Sequence, residues 1–124
     1  MRLQFAERAE TLQSAYDTLR FAGEDPVEAF LLDGPTTDFN AIWRRDAVSI
    51  ALERRAMIGN LWCIAEPGVS WFVYFLSGQG RIRSDPDGPL IKTGDALWLN
   101  PARDAPRLIL EAHGEALWLK ITAL

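Results

Sequence analysis

The sequence predicts an all-β fold, a sandwich or barrel built of about eight to ten short antiparallel strands. Three observations lead there. Apolar residues alternate with polar ones over short runs, as in Val48, Ile50 and Leu52 against Ser49, Ala51 and Glu53. That period of two is the signature of a half-buried strand. Turn-forming Gly, Pro, Asn and Asp punctuate these runs at close intervals, and several short strands so spaced imply a sandwich or barrel. At 124 residues the chain fits one domain, taken as 1–124.

The elements follow in order. Short strands are expected at 2–6 and 18–22, with an amphipathic helix over 6–20 as the competing reading, since Leu12, Ala15, Tyr16 and Leu19 stand at helical spacing. A strand over 27–33 ends at Gly34-Pro35. Residues 46–55 form the next strand, Gly59-Asn60 punctuates, and 61–66 form another. Glu66-Pro67-Gly68 reads as a turn. Residues 70–76 are apolar throughout and rich in strand formers, so both faces of that strand should be covered. Gly78-Gln79-Gly80 reads as a hairpin turn before Arg81-Ile82-Arg83. Ser84 to Pro89 is the strongest turn signal in the chain. Leu90 to Lys92 and Ala96 to Leu99 are short strands, and Asn100-Pro101 ends the second. The last two runs, 107–112 and 115–123, are divided by a hairpin turn at His113-Gly114.

Composition excludes several functions. The net charge is −4, which argues against nucleic acid and against an anionic membrane surface, both of which ask for a basic footprint. Eleven of the thirteen basic residues are Arg, a side chain suited to bidentate contacts with carboxylates. The single cysteine, Cys63, rules out an intrachain disulfide and suits a reducing compartment. Set in an apolar run, it reads as a small buried hydrophobe. The amino-terminal residues lack the apolar core of a signal peptide, and no run of about 18 apolar residues could cross a membrane. A cytoplasmic protein is expected.

Catalytic templates find little to match. The one histidine, His113, falls in the expected turn and reads as exposed and inert. Gly78-Gln79-Gly80 lacks the helix that a phosphate-cradling loop needs. Residues 38–45 are more distinctive. If the chain is extended there, Asp38, Asn40, Ile42 and Arg44 share one face. Such polar groups, if turned inward, must satisfy one another or bind a ligand; turned outward, they need no role.

Two passages resemble the cupin fold: Phe75 to Ile82, with its glycines between strand-like runs, and Gly94-Asp95 followed by a strand and Pro101. Metal-binding cupins hold their ion with two or three His and a Glu. Here Ala102-Arg103-Asp104-Ala105 stands where the second motif would carry its His, so no metal and no cofactor are expected. From about residue 18 onward the sequence also resembles the HutD/Ves family, associated with histidine utilisation and stress responses. The likeness rests on Phe21-Ala22-Gly23-Glu24-Asp25-Pro26-Val27 and on Gly34-Pro35, two residues, Asp38-Phe39-Asn40, then Arg44-Arg45. Ile42 replaces the family's usual Met. The family's opening segment, with its Trp-Lys-Asn-Gly-Gly-like motif, has no counterpart here.

The resemblance implies a single cupin-like jelly-roll barrel where relatives have two. It implies a non-enzymatic protein that binds a small molecule or regulates, with a small carboxylate as ligand. In that reading Arg44 clamps the anion, Asp38 orients Arg44, Asn40 exchanges hydrogen bonds, and Tyr74 and Trp98 supply walls. The absent half of the relatives would leave apolar surface to be hidden, which points to a homodimer. Two alternatives remain open: a metal-free isomerase or epimerase with Asp38 or Glu53 as base, and an interaction module whose barrel is filled with side chains.

Overall fold

The structure is a computed structural model and describes residues 1–64, 66–100 and 107–124. The chain is all-β as expected, with eight strands among the described residues, all in antiparallel pairings. It divides into two compact units, Met1–Ile42 and Trp43–Leu124.

The first unit holds three short strands, β1 (Arg2–Gln4), β2 (Ala9–Thr11) and β3 (Glu28–Phe30), in the order β2-β1-β3. The Met1 ammonium donates to the Leu12 carbonyl at 2.8 Å and fastens the start of the chain. The Phe5 ring meets Phe21 edge to face at 5.3 Å, and Arg8 lies over Phe5. Neither the strand expected at 18–22 nor the alternative helix forms. Instead the Asp17 carboxylate accepts the N–H groups of Gln13 and Ser14 and closes a turn. Those two bonds hold its pKa below the usual carboxylate value.

The second unit is one antiparallel sheet. Its strands are β4 (Val48–Ile64), β5 (Val69–Ile82), β6 (Ile91–Lys92), β7 (Ala96–Leu99) and β8 (Arg107–Ala123). β8 lies between β4 and β5, and both β6 and β7 pair along the other edge of β5. Here the structure corrects the expectation. The runs 46–55 and 61–66 merge into β4, although Ala65 lies outside the described residues. The runs 70–76 and 81–83 merge into β5, and 107–112 and 115–123 into β8. Gly59, Gly78 and Gly114, taken from sequence as turn or punctuation residues, stand inside long strands.

These glycines bend the sheet. A 17-residue strand spans roughly 56 Å when straight, far more than one small core can cover. Yet a single apolar cluster joins Cys63 and Leu108 at one end of the strands with Trp118 and Leu99 toward the other. The bend falls where Met57, Gly114 and Gly78 line up across β4, β8 and β5. Gly78 and Gly114 have φ of 80° and 116°, and Gly59, two residues beyond Met57, has 83°. Such angles cost a residue with a side chain energy that glycine avoids. A register shift between Phe75 and Ser77 adds a bulge at the same place. The sheet therefore folds over its own inner face.

Strand alternation fixes the two faces. Met57, Cys63, Val73, Phe75, Leu110 and Trp118 point inward and are buried, each contributing about 1.5–3 kcal/mol if fully removed from water. On β7 and β6, Leu99 and Ile91 join them. Burial pushes the Cys63 thiol up to about 11, in keeping with a core residue. Among the described residues, no helix is long and apolar enough to cross a membrane.

Candidate functional site

The residues singled out from sequence do not line the inner face. Asp38 and Asn40 are exposed, and residues 38–43 belong to no strand. Arg44 sits in the turn that enters β4, where its carbonyl accepts the N–H groups of Ala47 and Val48. Its guanidinium is exposed and donates to the Asp46 carboxylate at 2.8 Å. Asp46, two residues along the chain, and not Asp38, pairs with the arginine. That bond raises the Arg44 pKa and lowers that of Asp46.

Tyr74 and Trp98 lie on strands of the sheet, as expected, but on its outer face. They stand level with Leu117 and Phe72 in the ladder, on the side opposite the buried cluster. The Trp98 ring meets Phe72 edge to face at 6.2 Å and is 60% exposed. Pro101 and the 102–105 stretch lie outside the described residues.

A hollow of about 350 Å³ opens on the second unit. Its floor is the row Gly59, Ala112 and Gly80, paired across β4, β8 and β5. Those side-chain positions turn inward, and a Cβ on Gly80 would lie 2.6 Å from the Ala112 Cβ. The two neighbouring rows turn outward and form walls. One carries Arg81 opposite Glu111; the other carries Gln79 opposite His113. Leu90 adds an apolar contact. Arg81 is steadied by one bond from Nη1 to the Pro86 carbonyl at 2.9 Å, in the loop after β5. A guanidinium has five N–H donors, so most remain available to a ligand.

Sequence reasoning missed this group because it read its glycines as turns. Gln79 and Arg81, and likewise Glu111 and His113, are two residues apart. That spacing places each pair on one face once the strand runs unbroken. His113 is exposed, as expected, but stands inside β8 and not in a turn. Among the described residues, no cluster of three or more His, Cys, Asp or Glu stands ready to hold a metal ion.

An antiparallel sheet with an apolar inner face and a hollow on its outer side defines a small all-β protein. The sequence matches the HutD family over residues 1–118, and the chain belongs to that family. No curated protein matches it. Among solved structures, one that overlaps it is a provisionally assigned mannose-6-phosphate isomerase from Ralstonia eutropha JMP134. It is 16% identical, the match covers 66% of this chain and 78% of that one, and the TM-score is 0.37. An overlap of that extent carries no inference about chemistry.

Proposed function

We propose that this HutD-family protein binds a small carboxylate and works by binding, not by catalysis. The observation that carries this reading is the hollow, whose volume falls in the range of small-ligand sites. Arg81 offers a fork of donors suited to a carboxylate, and the Gln79 amide stands on the same strand and face. Glu111 faces the hollow as well and repels a bare anion. The favoured ligand thus carries its carboxylate toward Arg81 and Gln79 and a hydrogen-bond donor or cation toward Glu111.

Arg44 is a weaker candidate for the clamp, because Asp46 already occupies it. The protein acts as a homodimer in this reading, supported by the exposed Ile58, Trp62 and Ile64 along β4. A free, buried Cys63 suits a reducing, cytoplasmic setting. The test is a thermal-shift screen of small carboxylates and amino acids. A ligand that stabilises the native chain should lose its effect in Arg81→Ala. A full shift retained in that variant would reject the hollow as the site.

A further inference from the structure

The outer edge of β4 is open. Among the described residues β4 pairs with β8 alone, so the N–H and C=O groups along its other side face no strand. Edges of this kind are normally blunted by charge or proline, and residues 56–64 carry neither. Alternation places Ala56, Ile58, Asn60, Trp62 and Ile64 on the outer face, and all of them are exposed. The polar residue stands in the middle, with apolar residues on both sides.

The order of these residues complements itself. In a twofold pair one patch meets its own copy and must fit it. Let β4 pair antiparallel with β4 of a second copy, with Asn60 on the twofold axis. Ile58 then stands opposite Trp62 of the second copy, and Ala56 opposite its Ile64. Apolar meets apolar at each step. Small faces large at the ends, and aromatic faces β-branched nearer the axis, a favourable cross-strand pair. Asn60 meets Asn60, and an amide carries both donors and an acceptor, so the two can satisfy each other. Carried past Ile64, the same register brings Glu66 level with Arg54 of the second copy, opposite charges.

Other registers fit less well. A half-step would turn the outer face of one strand to the inner face of the other. Moving the axis by one residue sets Asn60 against Ile58 or Trp62. Moving it by two sets Trp62 against Arg54, or Ile58 against Glu66.

We infer that two copies of this protein join edge to edge along β4, antiparallel, in the register centred on Asn60. This rests on the homodimer reading above and adds its geometry. It also bears on the hollow. Asn60, Glu111 and Arg81 form one row across β4, β8 and β5. A twofold axis at Asn60 continues that row from one copy into the other and sets both hollows on one face of a single sheet.

Charge swapping at the axis tests this on the full chain by sedimentation velocity. Asn60→Asp sets two carboxylates face to face, and Asn60→Lys sets two ammonium groups. Each should raise the dimer's dissociation constant by more than about tenfold, since like charges juxtaposed across an interface repel strongly. Asn60 is exposed, so both variants should keep the native circular dichroism. Mixed in equal amounts, they should recover the dimer, because only a residue that faces its own copy pairs Asp with Lys. A native chain that stays monomeric overturns the homodimer reading itself. A native dimer that persists undiminished in both variants overturns β4 as the contact and leaves the homodimer standing. Two weakened variants whose mixture stays monomeric overturn the register centred on Asn60.

Discussion

Gly78 and Gly114 stand opposite each other in the β5–β8 ladder, and each leaves its missing Cβ position inside the backbone of the other's strand. A Cβ on Gly78 would collide with the His113 carbonyl, and one on Gly114 with the Ser77 carbonyl. Both also have positive φ. The close approach and the backbone angle act together, and the bend of the sheet depends on both.

Gly78→Ala and Gly114→Ala should therefore each lower stability by at least about 2 kcal/mol, φ strain adding to overpacking. Gly94→Ala is the internal control. Gly94 shares the positive φ, at 88°, but has nothing within 4 Å of an added Cβ. Its loss should be limited to about 1 kcal/mol of backbone strain. Urea unfolding of the three variants checks this, and equal losses would mean that φ alone sets the cost.

The same glycines explain what could be read from the sequence and what could not. Alternation at 48–53 and the apolar run at 70–76 identified strands correctly, because period and β-branching are local properties. Gly78-Gln79-Gly80 and His113-Gly114 misled, because a glycine with positive φ serves equally well in a hairpin turn and in a bent strand. Only the pairing of Gly114 with both Met57 and Gly78 separates the two, and pairing is a long-range property. The hollow was hidden for the same reason. Arg81 and Glu111 are thirty residues apart and meet only through strand register. Asp38, Asn40 and Arg44 were drawn from an alternation that is real in sequence but has no strand beneath it.

Cys63 should resist alkylation in the folded protein. Its thiol is fully buried, and desolvation lifts its pKa from 9.0 to about 11. Thiolate, the reacting form, is thus scarce at pH 8. Iodoacetamide should modify the chain at pH 8 only in denaturant, as read by intact mass. The sign of the pH effect follows from linkage. The folded state holds the thiol proton more tightly than the unfolded state does. Its contribution to stability is full below pH 9 and is lost as the pH rises through about 11. Cys63→Ala should flatten that part of the curve.

The two arginines give opposite expectations in ligand binding. Arg44→Ala removes an exposed group already paired with Asp46 and should leave a carboxylate's thermal shift intact, while Arg81→Ala abolishes it. Glu111→Gln removes the negative wall of the hollow. It should strengthen the shift given by plain carboxylates and weaken that given by amino acids. Calorimetric titration of the three variants reads both effects. An amino acid that binds Glu111→Gln as tightly as the native chain would remove Glu111 from the site.

The apolar stretch of β4 should drive self-association. Residues 56–64 carry no charged side chain and no proline, the usual devices by which edge strands avoid pairing with other chains. β4 stands at the end of the sheet order, beside β8. On its outer face Ile58 is 87% exposed, Trp62 54% and Ile64 56%. A run of large apolar groups on an edge strand asks to be covered, and a second copy is the occupant tested. Sedimentation velocity over a range of concentrations should show a dimer in the native chain. Ile58→Lys places a charge at the middle of the stretch and should shift the population to monomer. Its unfolding midpoint at low protein concentration should stay close to native, because the side chain it replaces is exposed. A native chain that sediments as a monomer at all concentrations would remove β4 as a dimer interface. A dimer that persists in Ile58→Lys would place the contact on another surface.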